Sequence, residues 1–414
     1  MTPLWQRNVV LLWLIQFTAL AAVSLSHPFI PLFVERDLGV ADESQVKLIA
    51  GLLQAVFFLC AAIMAPLWGT WADHHGRRVM VIRALLGAGV GVGLMAVVRT
   101  VPQLFFVRAL QGVTGGLIAA AAALVASMAP RDRMATSLGW LQNSVTSAHF
   151  VGPLLGGLVV DRLGYRNTFA IGSAVCFVCA AAVALFIREH FIPVPADERA
   201  SFADNLTLWR ESDVLRYAAL AVALSQLAIM VVNPIMPLFV QHLLGRNHGS
   251  LNSAVGLMSG LPALTGFLFA PLWGITADRR GHARTLGWAL LGSGLVYAPQ
   301  AVAGSLAVFG LLRAGVGGFN AGIAPAAQAL ASRAVDRKRT AASLSLMTSA
   351  RMFGGFLGPL LGGVIASQLG WPHVFLVTAG LQLAAAGLVF RRLTGLRTEP
   401  SVEEVVPTVL LDEE

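Results

Sequence analysis

The chain has 414 residues, of which 56% are hydrophobic and only 12% charged, against about 25% charged in an ordinary soluble domain. A soluble fold of this length could bury a large core but would still need a charged surface, so the outside of this protein must face lipid. The formal net charge of +8 does not point to nucleic acid, because the basic residues fall in short clusters between apolar runs, the pattern of membrane loops.

Twelve apolar stretches are candidates for crossing the hydrocarbon core, which takes about 20 residues. They run over 9–34, 46–71, 79–98, 102–127, 138–160 and 165–188, then 214–241, 251–275, 284–303, 305–331, 341–366 and 371–390. Lipid offers no partner to a free backbone amide, so each must be a helix, and the fold class is an all-α membrane protein. The first stretch is long enough to remain as an uncleaved anchor; it carries Gln16, Phe17 and His27. The second ends in Gly69-Thr-Trp-Ala-Asp73-His-His-Gly76-Arg77-Arg78. Its glycines allow a tight turn, and Asp73 can accept hydrogen bonds at a neighbouring helix N-terminus. In the fourth, Arg108 stands inside an apolar run, where a charge costs about 2.5–3.5 kcal/mol by insertion scales. Gln111, Gly112, Gly115 and Gly116 follow it. The fifth carries Gln142, Asn143 and His149 ahead of Gly152-Pro153-Leu-Leu-Gly156-Gly157, where the proline should bend the helix and the glycines offer a flat packing face. Cys60, Cys176 and Cys179 lie in apolar runs and read as small hydrophobes.

A polar stretch, 191–213, precedes a second copy of these landmarks. Gly69, Asp73 and Gly76 return as Gly274, Asp278 and Gly281; Arg108 and Gly112 return as Arg313 and Gly317; the Gly152–Gly157 segment returns at Gly358–Gly363. A period of half the chain means two homologous halves, each a six-helix bundle: 1–190 and 214–395, with 191–213 as a linker and 396–414 as an acidic tail expected to be disordered. Duplication of a hydrophobic chain is the mark of a transporter whose substrate site lies between two halves. Arg77, Arg78, Arg131, Arg133, Arg279, Arg280, Arg333 and Arg337 crowd one set of loops, whereas Glu35, Asp37, Asp42 and Glu43 occupy the other. Both termini are therefore expected on the cytoplasmic side.

No Asp or Glu lies near the middle of any stretch, whereas Arg108, Arg313 and Arg351 are in or near the bilayer. An interior with bases and no acids favours neutral or anionic amphiphiles over organic cations. Imidazole titrates near neutrality, which makes His27 and His149 the candidate proton carriers. Gln16, Gln142, Asn143, Asn233 and Asn320, with Phe17, Met230, Phe319, Arg313 and Arg351, are candidate cavity residues. No phosphate-binding loop, catalytic constellation or metal cluster is visible, so neither an enzyme nor a cofactor is expected.

On the Gly69–Arg78 signature, the Arg108–Gly116 segment and Gly152–Gly157, the chain resembles the major facilitator superfamily and, within it, the twelve-helix drug/proton antiporters. The resemblance implies that Gly69, Asp73, Gly76 and Arg77, with Gly274, Asp278 and Gly281, latch the outward-facing state. It also implies that Arg108 takes part in proton coupling with Asp73, and that Gly152, Pro153, Gly156 and Gly157 mark an exporter. Two departures stand out: His282 and Ala283 replace the bases of the second signature, and Ser127 stands where relatives often carry an acid. The function so implied is proton-coupled export of amphiphilic small molecules by rocking of the two halves in a bacterial inner membrane, with one chain sufficing as a monomer. A carrier for one organic anion or sugar and a non-transporting membrane sensor are the alternatives.

Overall fold

The computed structural model describes residues 4–130, 132–189, 209–245, 249–335 and 339–395. Most of the expected linker, the expected tail, Arg131, Arg337 and the side chain of Asp73 lie outside the described residues. The first half runs α1 (Leu4–Ser24), a 3-10 turn (His27–Phe29), α2 (Ile30–Arg36), α3 (Glu43–His75), α4 (Arg77–Val97), α5 (Val101–Thr114), α6 (Leu117–Met128) and α7 (Met134–Phe186). The second runs α8 (Asp213–Val232), α9 (Met236–Leu244), α10 (Leu251–Arg280), α11 (His282–Tyr297), a 3-10 turn (Ala298–Val302), α12 (Leu306–Asn320), α13 (Ile323–Arg333), α14 (Thr340–Gln368) and α15 (Trp371–Arg392).

Ten described segments are long and apolar enough to cross a membrane. One of them contains two of the expected crossings, because α7 turns at Gly164, where φ is +80°. The remaining crossing is α11, which has 16 residues and is extended by the turn after it. Four of the expected stretches are not single helices; the seventh breaks between Val232 and Met236 and the tenth between Asn320 and Ile323, and the other two are in the first half. The first breaks between Ser24 and Ile30, where Pro28 supplies no backbone donor. The fourth breaks at Gly116, whose φ of +107° is left-handed, a conformation that favours a residue without Cβ.

Helix α3 begins where the Asp42 carboxylate accepts from Ser44 N at 2.9 Å and Ser44 Oγ at 2.8 Å. These bonds hold the Asp42 carboxyl below its ordinary value. The stabilisation is complete above the unfolded value, about 3.9, and is lost as pH falls through the lower folded one. Asp42→Ala should therefore melt earlier than the parent at neutral pH, with the gap closing under acid; thermal unfolding in detergent across pH checks this.

Within the first half α7 packs on α1 and α4, and α3 on α5; within the second α14 packs on α8, α11 on α15, and α10 on α12. The same aromatic contact is repeated in each half: Phe33 meets Phe169 edge-on at 5.1 Å, and Phe239 meets Phe375 at 5.0 Å. The halves join along two seams, α7 against α10 and α3 against α14. Glycines make both seams close. A Cβ on Gly51 would sit 2.3 Å from the Pro359 carbonyl oxygen, and one on Gly256 would sit 2.2 Å from that of Pro153. These residues lie toward the end remote from the described ends of the chain, here the far end. Toward the other, terminal end, a Cβ on Gly69, Gly139 or Gly274 would meet nothing within 4 Å. The halves are thus joined at the far end, and the cleft between them opens at the terminal end.

Candidate functional site

Helices α3 and α5 approach closely because Gly112 has no side chain: a Cβ there would stand 2.4 Å from the Phe57 carbonyl oxygen. One turn earlier on α5, the fully buried Arg108 can therefore reach across. Its Nε donates to the Leu53 carbonyl at 3.4 Å, one Nη to Gln54 Oε1 at 2.7 Å, and the other to Gln111 Oε1 at 2.9 Å. That last nitrogen is also 3.0 Å from His27 Nε2. The guanidinium lies 4.8 Å from the Phe57 ring, whose edge also meets His27. None of these acceptors is a carboxylate.

The chemistry of the pair fixes a protonation state. A guanidinium has donors only, so His27 Nε2 must accept, and the imidazole proton sits on Nδ1. A proton arriving on Nε2 would remove that acceptor and place two cations in contact, which repel by several kcal/mol. The observed arrangement and a protonated His27 therefore exclude each other. His149 Nδ1 is 2.7 Å from the Val145 carbonyl oxygen and donates to it.

The second half repeats the scaffold with other chemistry. A Cβ on Gly317 would lie 2.1 Å from the Pro262 carbonyl oxygen, and Arg313 Nε donates to the Met258 carbonyl at 3.3 Å. Trp68 Nε1 donates to Val113 O at 2.6 Å, and Trp273 Nε1 to Gly318 O at 2.7 Å, so this bond too is duplicated. Arg313 and Asn320, however, lie beside the phenol of Tyr297, and Ser293 Oγ donates to Asn320 Oδ1 at 2.8 Å. No histidine enters this cluster.

The expected cavity residues divide. Gln142 and His149 are exposed and share the face of α7 that carries Pro153, which meets α10. Arg351 is exposed on the face of α14 that carries Gly355 and Pro359, which meet α3. Both faces look across the seams and into the cleft. Asn143 and Asn233 are exposed, Phe17 and Asn320 half-buried. Gln16 and Arg313 are enclosed, at 2% and 5% exposure, and do not face the cleft in this conformation. Met230 packs against Gly358, and Phe319 against Gly292 and Trp273. The Gly152–Gly157 segment divides its duties. Gly152 rests on the Ala21 carbonyl of α1 and Gly156 on that of Leu25 just after it, whereas Pro153 and Gly157 rest on α10.

Gly76 after α3 and Gly281 after α10 both take left-handed φ, +91° and +86°. The first turn of α4 is capped by Glu189, whose two oxygens accept from Arg77 N at 3.0 Å and Arg78 N at 2.7 Å. Sequence reasoning missed this residue. It follows α7, far away in the chain, and only its position just past the last apolar residues of the half could have drawn attention.

Comparison with known proteins agrees with this geometry. The Major Facilitator Superfamily model matches residues 12–245 and again residues 218–411. Multidrug resistance protein MdtG of Escherichia coli O6:K15:H31 is 33% identical over 383 residues, covering 92% of this chain and 93% of that protein. MdtG of Salmonella paratyphi A is 34% identical over 379 residues, with the same coverage. Among solved structures, a bacterial homolog of the human lysosomal transporter Spinster, inward-facing and occupied, superimposes with a TM-score of 0.78 at 14% identity over 97% of this chain and all of that one. The human organic anion transporter MFSD10 gives 0.69 at 19% identity over 94% of this chain and all of that one. With a matched family model on each half, twelve crossings and two seams around a cleft, the chain belongs to the Major Facilitator Superfamily and is a multi-pass membrane transporter homologous to MdtG.

Proposed function

We propose that the protein exports amphiphilic neutral or anionic compounds in exchange for protons. The observation that carries this reading is the contact of His27 Nε2 with Arg108 at 3.0 Å, a pair that cannot persist once the imidazole is protonated. Such a pair is a two-state element of the kind that links a proton to a conformational change. The relatives named for multidrug resistance support export of several compounds rather than one. Arg351, exposed toward the cleft, gives the substrate path a positive charge.

In this mechanism the cleft open at the terminal end loads substrate from the cytoplasm of a bacterium, with both termini on that side of the inner membrane. The halves 1–190 and 214–395 then rock about the site. A proton entering from outside protonates His27, releases it from Arg108, and is discharged inward as the chain resets. His149 serves as its relay partner. Gly69, Asp73, Gly76 and Arg77, with Gly274, Asp278 and Gly281, close the terminal end in the alternate state.

The test is substrate-driven proton flux in proteoliposomes loaded with a pH-sensitive dye, using cationic, neutral and anionic amphiphiles. Several unrelated neutral or anionic compounds should each move protons. Replacing His27 and His149 together with Gln should abolish that flux; full coupling in the double variant overturns the assignment. Flux triggered by a single compound would instead identify a carrier for one metabolite.

A further inference from the structure

At the far end the two seams are fastened by clasps that occupy corresponding places in the two halves. On one seam the Lys47 ammonium of α3 lies 3.9 Å from the centre of the Trp371 ring, which opens α15. On the other, Asn252 of α10 bonds the hydroxyl of Tyr165 at 3.0 Å. Lys47 and Asn252 are 205 positions apart, and Tyr165 and Trp371 are 206 apart, so these are the same clasp with different side chains. The first is a cation over an aromatic face. The second has an added member, the carboxylate of Asp161.

Asp161 stands on α7, three residues before its turn at Gly164. Its Oδ1 accepts from Asn252 Nδ2 at 2.9 Å and Asn252 N at 3.3 Å, and its Oδ2 accepts from Ser253 N at 2.8 Å and from the Ser253 hydroxyl. Asn252 and Ser253 are the second and third residues of α10, the positions whose backbone amides a capping side chain satisfies. The helix's own N-cap residue, Ser250, makes no side-chain capping bond. The corresponding helix of the first half, α3, is capped locally by Asp42. Helix α10 thus receives its cap, an anion at the positive end of the helix, from the other half of the molecule.

We propose that Asp161 is a positioning residue for alternating access: it holds the far end shut by capping a helix that belongs to the opposite half. When the far end opens, α3 keeps its cap and α10 loses one, so the α7–α10 seam bears a specific penalty that the α3–α14 seam does not. The two seams are therefore unequal, and Asp161 sets how often the far end opens. This goes beyond the proton-coupling reading and does not depend on it.

The experiment is a distance measurement between spin labels at Arg99→Cys and Val302→Cys in the full chain in nanodiscs, with Cys60 replaced by Ala. Arg99 is exposed in the connection between α4 and α5, and Val302 is 85% exposed at the corresponding far-end connection of the second half. The parent should show mainly the short distance. Asp161→Ala should raise the ratio of long to short by about tenfold, the equivalent of ~1.4 kcal/mol. Asp161→Asn, which keeps an accepting oxygen, should restore part of the short population. Lys47→Ala is the control on the other clasp. It should shift the ratio independently, so that the double variant multiplies the two effects. An unchanged distance distribution in Asp161→Ala, or identical behaviour of the Ala and Asn variants, overturns the proposal. If Asp161→Ala does not fold, the Asp161→Asn measurement decides, and its equality with the parent counts against it.

Discussion

Replacing Arg108 with Ala should reduce substrate-driven proton flux by a hundredfold or more while leaving the chain inserted in the membrane. The side chain donates to acceptors on three separate segments: Leu53 and Gln54 on α3, Gln111 on its own helix α5, and His27 in the turn after α1. Removing it takes the donor from the buried Gln111, and a buried acceptor left unsatisfied costs about 1–3 kcal/mol. It also removes the cation that makes protonation of His27 a conformational event. Arg108→Lys separates charge from geometry. An ammonium keeps the charge but is a compact point with three donors, and it cannot span the same set, so most of the coupling should still be lost. The comparison is proton flux per unit of reconstituted protein, with thermal unfolding in detergent as the check on folding. Near-normal flux in Arg108→Ala would remove this residue from the coupling cluster.

The other large effect is expected from the seam glycines. Gly157→Val and Gly256→Val each introduce a Cβ within 2.3 Å of a backbone carbonyl oxygen of the opposite half, from Asn252 and Pro153 respectively. Backbone cannot swing aside as a flexible side chain can, and overpacking costs about 1–3 kcal/mol even where some relaxation is possible. That cost falls on the state closed at the far end, so the equilibrium should move at least tenfold toward the state open there. Gly69→Val and Gly274→Val make the opposite case. Nothing lies within 4 Å of the added atom in this conformation, so this state should tolerate them. If the terminal end closes over those positions in the alternate state, they should shift the balance the other way. The spin-label distance between Arg99 and Val302 reads all four variants, with long distances expected from the first pair and short from the second. A shift of all four in one direction would mean that the substitutions merely loosen the bundle.

The duplicated scaffold was visible in the sequence because the residues that build it are unusual ones. A glycine one turn after an arginine, twice, is a contact with the helix opposite, and both copies make it. Helix boundaries were less legible where turn residues sit inside apolar runs. Ser26-His27-Pro28 and Gly115-Gly116 are too short to interrupt a hydrophobic count, yet each breaks a span. Of the cluster around Arg108, His27 and the arginine stood out as ionisable groups in an apolar run. Gln54 and Gln111 are polar groups like many others until the fold brings them within 3 Å of a guanidinium. The enclosure of Gln16 and Arg313 could not be read either, since facing inward on a helix does not say whether the inside is the cleft or the bundle. Glu189 and Asp161 act on helices far from them in the chain, and sequence spacing holds no trace of such pairings.

Six of the seven left-handed glycines among the described residues come in pairs: Gly39 with Gly245, Gly76 with Gly281, and Gly164 with Gly370. The seventh, Gly116, has no counterpart, for Ala321 at the matching place keeps an ordinary helical φ of −57° and bonds back to Gly317 O. Arg83 Nη2 closes the resulting gap by donating to the Gly115 carbonyl at 2.8 Å, while its guanidinium covers the ring of Trp68. One half thus breaks this helix with a left-handed elbow, whereas the other breaks it over Ala321 and Gly322 with right-handed backbone. The two halves therefore differ in backbone, and not only in side chains, along the helix that carries the buried arginine.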